Sequence, residues 1–345
     1  MAPTWWQGDA VRVPAGVARR AAPWGTVAIG APSMTADGSK AAVPVAAMPV
    51  VGTERWRRGG EPMSDDATDD QAPPPGARGL AEATAREAGA ILRERLGGVR
   101  DVQFKGLVDL VTDADRAAEA LIGERIKGAF PGHRFVGEEG TRGVEAEAGA
   151  AFGWIVDPLD GTTNYAHAYP HFAVSIGLEH DGKVVLGVVY DPMRDELFAA
   201  ERGRGATLNG APLRVSAEET LIGSLLATGF PYDPALRAEG LAVWGDLMHR
   251  CQGVRRDGSA ALNLAYVAAG RLDGFYERPL QPWDMAAGTL LVEEAGGTVT
   301  RYDGGPFDPY GREAVATNGA LHAPLLEVVA RHAPDLVPTS PGLPS

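Results

Sequence analysis

Four acidic points stand where an apolar run gives way to small or turn-forming residues. They are Asp115 in DLVTDAD, Glu138 and Glu139 in VGEEG, Asp157 and Asp160 in DPLDGTT, and Asp284 in PWDMAAG. Each alone has an ordinary explanation. Asp115 and Asp284 suit the first turn of a helix. Glu138-Glu139 suits a solvated turn, and Asp157-Pro158-Leu159-Asp160 suits an Asx turn. Together they form a set of hard oxygen donors at element ends, which suits Mg²⁺ and a phosphate ester. Two such ions roughly 3.5–4 Å apart clamp the attacking and leaving oxygens of a displacement at phosphorus. A rigid strand ending at Asp157 would hold a bridging carboxylate. Gly161 lets the backbone approach a ligand, and the N–H groups of Gly161 and Thr162 could face phosphate oxygens.

The flanking sequence must position these groups. Leu80, Ala83, Ala88, Ile91, Leu92 and Leu96 share one helical face. VTDADRAAEALIGERIKGAF reads as a second helix, with Thr112 as N-cap, Asp115 three residues on and a buried stripe of Ala118, Leu121, Ile122 and Ile126. RFVGEEG is a short strand entering a turn. Strands follow at 152–157, 171–180 and 183–190, the last two joined through Asp181-Gly182, a hairpin signal. ELFAA and GATLNG continue that sheet, and LIGSLLATGF opens a second series. Helices are expected near 235–250, 259–270 and 284–296, and strands near 272–277 and 298–302. This mixed order with hairpins predicts an α+β or layered α/β fold rather than a pure parallel sheet.

The bulk properties narrow the function. The chain has 345 residues and a net charge of −13, against a general basic nucleic-acid surface. An anionic substrate stays compatible, because bound cations invert the local sign. No apolar run reaches about 18 residues, so no transmembrane helix is expected. Cys251 is the single cysteine; it excludes an intrachain disulfide and fits a reducing, cytoplasmic setting. No zinc spacing, P-loop or dinucleotide fingerprint occurs, and the ligand spacing of an EF-hand is absent at 157–163.

Residues 1–62 differ from the rest, holding four of seven tryptophans and a net charge of +3. After Met63 comes an acidic, proline-rich stretch, SDDATDDQAPPPGARG. Residues 1–78 are therefore expected to be a disordered or over-extended segment, with Met63 as a candidate natural start. Residues 79–335 are then expected to form the catalytic domain, and 336–345 a flexible tail.

DLVTDAD, GEEG, DPLDGTTNY, GSAALNLAYVAAGRLDGFYE and PWDMAAGTLLVEEAGG, in that order over about 79–330, resemble the inositol monophosphatase family of Mg²⁺-dependent, Li⁺-sensitive phosphatases. The resemblance implies an αβαβα sandwich like that of the sugar phosphatases, and two or three Mg²⁺ ions. Glu138, Asp157 and the Leu159 carbonyl would bind the first ion. Asp157, Asp160 and Asp284 would bind the second, and a third would sit near Glu138 largely through water. It implies hydrolysis by water activated at the metal, with no phosphoenzyme. Thr162, hydrogen-bonded to Asp115, would help activate that water, and Glu139 would act through water. Phosphate would rest on Gly161 and Thr162. The leaving alcohol's hydroxyls would meet Asp160, Glu277 and the backbone at Ala260. Lys105 matches a lysine of a metal-site loop, or is a solvated lysine.

The implied substrate is myo-inositol 1-phosphate or a related small polyol phosphate. Histidinol phosphate is the alternative, since Glu277 could hold either hydroxyls or an amine. A mainly regulatory role is a further alternative, because some bacterial relatives serve as RNA-polymerase-associated factors. A homodimer is implied, with no membrane or direct nucleic-acid partner. Asp257 departs from the family's uncharged residue, and either alters selection near Ala260 or pairs with Arg255 or Arg256. His167 and His171 read as packing or loop residues, Trp283 as a packing residue at its helix start, and Tyr165 as pocket edge or core.

Overall fold

The computed structural model describes residues 72–97, 102–104, 110–138, 150–231, 233–234 and 237–333. The expectations for residues 1–71, for Lys105 and Glu139, and for the tail from 334 lie outside the described residues. So does the Thr112 side chain.

The chain begins with α1 (Ala77–Arg95), a short antiparallel pair β1 (Val102–Phe104) and β2 (Leu110–Thr112), and α2 (Asp113–Ala129). Then come β3 (Arg134–Gly137), β4 (Phe152–Asp160), the one-turn helix α3 (Thr162–Ala166), β5 (Ala173–His180), β6 (Lys183–Asp191), β7 (Glu196–Glu201), β8 (Ala206–Leu208) and β9 (Ala211–Pro212). Strands β3 to β9 make one sheet in sequence order; β3 runs parallel to β4 and the other pairs are antiparallel. The second half holds β10 (Leu225–Thr228), α4 (Arg237–Met248), β11 (Gly253–Arg255), α5 (Ala260–Ala268), β12 (Gly274–Glu277), α6 (Pro282–Glu294), β13 (Thr298–Thr300), β14 (Ala314–Thr317) and α7 (His322–His332). Its five strands order as β11-β10-β12-β14-β13.

Three apolar clusters stack these pieces into five layers. Ala81, Ala85, Ile122, Trp154 and Val156 join α1 and α2 to one face of the large sheet. Ile155, Val189 and Phe198 from its other face meet α5 and α6, which in turn meet Ala227, Phe275 and Ala316 of the small sheet. Val243, Leu247, Leu325 and Val329 place α4 and α7 outside. The order α, β, α, β, α is the layering that the family resemblance implied. Because helices cover both faces, β5 and β6 are almost wholly buried and read as continuous apolar runs.

Two local devices set the geometry. Asp181 and Gly182 both take positive φ, 48° and 78°, as the tight hairpin between β5 and β6 requires. At Gly187 a β-carbon would lie 2.6 Å from the carbonyl oxygen of Ala287. The glycine lets α6 rest directly on the sheet, with Ala286 and Ala287 as its contact residues. Several boundaries differ from expectation. Helix α6 starts at Pro282, because proline suits the first helical turn; Asp284 is therefore its third residue. The strand expected to stop at Asp157 continues through Pro158 to Asp160.

Candidate active site

Strand β4 carries two of the carboxylates, and its irregularity makes them converge. In an even strand, residues three apart point to opposite faces. Here Asp157 pairs with Ser175 and Asp160 with Ala173, so three steps on β4 span two on β5. The extra residue is a bulge, a place where Pro158 is tolerated. Side chains confirm the inversion: Ile155 enters the α5/α6 cluster, whereas Leu159 enters the α1/α2 cluster. Asp157 and Asp160 thus return to the same side.

Asp160 is held at the start of α5. It accepts hydrogen bonds from Ala261 N at 2.8 Å, Ala260 N at 3.3 Å and the Ser259 hydroxyl. Ser259 is also the N-cap of α5, accepting from Leu262 N. Asp157 accepts from Leu159 N at 2.9 Å. Asp284 closes a capping box, accepting from Gln281 N at 2.7 Å. The start of α6 is tied to the large sheet by the Ser175 hydroxyl, which donates to the Trp283 carbonyl at 3.0 Å. Trp283 itself packs against the central core.

The result is a cluster in which oxygens of Asp157, Asp160 and Asp284 lie within 4.8 Å of one another. Burial, reinforced by Glu138, Asp160 and Asp284, pushes the Asp157 carboxyl well above its ordinary value. Burial and the Asp160 charge do the same to Asp284. Asp160 is pushed by burial up to about 6, with the three hydrogen bonds just named working against the rise. Such a set is costly as bare anions and favourable around a divalent cation. Its donors are all oxygen, as Mg²⁺ requires.

These carboxylates form one wall of a cavity of about 420 Å³ that Glu138, Gly161, Thr162, Ala260 and Glu277 also line. Gly161 has φ 96°, and a β-carbon there would lie 3.1 Å from the His171 carbonyl and 3.2 Å from that of Gly258. Thr162 Oγ1 is 3.0 Å from the Leu159 carbonyl and 3.3 Å from Asp115 Oδ1. Asp115 is fully buried. Glu277, at the end of β12, is pushed by burial up to about 8; Arg256 opposes that rise and Asp160 adds to it. Its carboxylate fills the space beside Gly229, where a β-carbon would lie 1.9 Å from Oε1.

Other expectations resolve differently. Tyr165 is core: its hydroxyl donates to the Leu92 carbonyl at 2.8 Å. His167 is exposed on a loop, and His171 is buried with its ring edge-on to Tyr266. Among the described residues Asp257 makes no ion pair with Arg255 or Arg256; its main-chain carbonyl instead accepts from Asn164 Nδ2 at 2.7 Å. The same amide donates to the His171 carbonyl, joining two loops beside Gly161. Sequence reasoning missed Asn164, Ser259 and Arg256. Ser259 could have been found as the small hydroxyl residue just before an apolar helix.

A model of the inositol monophosphatase family matches residues 78–334. An inositol-1-monophosphatase of Synechocystis is 48% identical over 245 residues, 70% of this chain and 85% of the relative. The Nus factor SuhB of Escherichia coli K12 is 47% identical over 231 residues, 66% of this chain and 85% of the relative. The crystal structure of the extragenic suppressor protein suhB from Bartonella henselae matches with a TM-score of 0.70 at 44% identity, covering 73% of this chain and 97% of that one. The chain belongs to the inositol monophosphatase family.

Proposed function

We propose that the protein is a Mg²⁺-dependent phosphomonoesterase that hydrolyses myo-inositol 1-phosphate or a closely related small polyol phosphate. The convergence of Asp157, Asp160 and Asp284 on one wall of the cavity carries this reading. Glu138, Asp157, Asp160, Asp284 and the Leu159 carbonyl would hold two or three ions. When bound, Mg²⁺ supplies positive charge against the phosphoryl oxygens and makes water more acidic.

The remaining work falls to the chain. Main-chain N–H groups of Gly161 and Thr162 would orient the phosphate. The Thr162 hydroxyl has one proton to give; when Asp115 accepts it, the hydroxyl oxygen can accept a proton from the attacking water. Water adds to phosphorus as the ester P–O bond breaks, and the leaving oxygen gains a proton. The products are inorganic phosphate and the alcohol. Ala260, Asp160 and Glu277 would meet the alcohol's hydroxyls. Glu139, outside the described residues, would act through water.

Phosphate release from inositol 1-phosphate, with and without Mg²⁺ and with added Li⁺, tests the reading. Release that needs Mg²⁺ and is suppressed by Li⁺ supports it; metal-independent release, or none, overturns it. The similarity to a Nus factor supports a second, interaction-based role. A cellular phenotype of gene loss that Asp157→Asn still complements would favour that role.

A further inference from the structure

Arg256 lies in the loop between β11 and α5, within the sequence GVRRDGSAAL. It lines the same cavity as Glu277, together with Gly229, Phe230, Gly258 and Ser259. Its guanidinium leans over Gly258, where a β-carbon would lie 2.8 Å from Nη1. Among the described residues no carboxylate pairs with it and no side-chain acceptor takes its protons, although Glu277 and Asp233 line the same cavity. Nor does the adjacent Asp257 neutralise it. Arg256 is exposed and makes no side-chain hydrogen bond among the described residues, and its charge acts on Glu277; on the lining of a carboxylate-rich cavity it presents donors and positive charge to whatever enters.

We infer that Arg256 is a specificity-determining residue that selects leaving groups carrying neutral hydroxyls and rejects those carrying an ammonium. The inference rests on the phosphomonoesterase reading above. Glu277 and Arg256, which line the same cavity, together offer it a carboxyl acceptor and guanidinium donors. A polyol satisfies both, because each hydroxyl can donate and accept. A protonated amine could donate to Glu277, but it has no acceptor for the guanidinium and brings a second positive charge beside it. Like-charge juxtaposition is how a site that attracts one partner excludes another. The influence of Arg256 on the acidity of Glu277 indicates that its charge is felt where the leaving group would sit.

Steady-state kinetics with inositol 1-phosphate and histidinol phosphate, at saturating Mg²⁺, test this. The wild type would be compared with Arg256→Gln, Arg256→Lys and Arg255→Gln; both arginines are exposed, but Arg255 does not line the cavity. The wild type should favour inositol 1-phosphate. Arg256→Gln should shrink that preference about tenfold, by lowering KM for histidinol phosphate and raising it for inositol 1-phosphate. Arg256→Lys should retain most of the preference, and Arg255→Gln all of it. A wild-type preference for histidinol phosphate would overturn the inference. So would an equal change in kcat/KM for both substrates in Arg256→Gln. Hydrolysis of neither substrate, nor of 4-nitrophenyl phosphate, would instead remove the phosphatase reading and the inference with it.

Discussion

At the scale of residues, the site is a set of buried carboxylates that repel one another and that a bound cation would relieve. Burial pushes Asp160 up to about 6 and Glu277 up to about 8, from ordinary values of 3.8 and 4.5. The folded state therefore keeps protons that the unfolded chain gives up. The corresponding stability is fully present below about pH 4 and is lost as pH rises through 6 and then 8. Asp157→Asn removes one of the repelling charges. Without Mg²⁺, its melting temperature should exceed that of the wild type by more at pH 8 than at pH 5. With Mg²⁺ the order should reverse, and phosphatase activity should fall by at least about a hundredfold. Thermal melts at both pH values, with and without Mg²⁺, would check the pair of signs; a difference independent of pH would contradict the repulsion. Most of these residues were legible, because acidic residues at element ends are conspicuous in sequence. Arg256 was not: beside Asp257 it reads as self-neutralised, and only the fold shows the two apart.

At the scale of elements, α6 places Asp284 by lying against bare backbone at Gly187. Gly187→Ala would drive a methyl group to 2.6 Å from the Ala287 carbonyl. Backbone cannot swing aside as a side-chain tip can, so the helix must shift. The expected cost is about 1–3 kcal/mol, with weaker Mg²⁺ binding because Asp284 moves with the helix. Calorimetric titration of Mg²⁺ together with a thermal melt would separate the two effects; an unchanged melting temperature would show that the contact yields freely. The β5–β6 hairpin was readable from Asp181-Gly182 between apolar runs. The bulge in β4 was not, because Pro158 resembles a strand end and only pairing with β5 reveals the odd residue. Short strands such as β11 and β14 escaped for a related reason: three or four residues carry too little periodicity to be recognised without their neighbours.

At the scale of the whole molecule, the acidic residues that line the cavity come from separate layers. Asp157 and Asp160 belong to the large sheet, Asp284 to the middle helical layer, and Glu277 to the small sheet. A cation bound among the aspartates would tie a sheet to the middle layer, so binding should stabilise the domain and not just a loop. At a free Mg²⁺ concentration of about 100 times its dissociation constant, stabilisation should approach 2.7 kcal/mol, or about 5–10 °C in melting temperature for a domain of this size. Differential scanning calorimetry across a Mg²⁺ series would show it, and a melting temperature indifferent to Mg²⁺ would argue against binding. The alternation of helices and hairpins made a layered α/β or α+β fold legible, and the αβαβα order came from the family resemblance. The placement of α5 and α6 between the two sheets was not, since Ala- and Gly-rich helices buried all round carry little amphipathic signature.

The bulge in β4 has a genetic consequence. Loss of the Pro158 codon would turn Asp-Pro-Leu-Asp into Asp-Leu-Asp, and simple alternation would still send both aspartates to one face and the leucine to the other. Such an in-frame deletion should express as a folded sheet with its aspartates closer together and the following Gly-Thr drawn back by one position. A soluble, cooperatively melting product without hydrolysis would bear this out; an insoluble product would mean that the extra residue also carries the fold. The gap between those two aspartates then behaves as a ruler, and a change in its length can silence the chemistry while leaving the architecture standing.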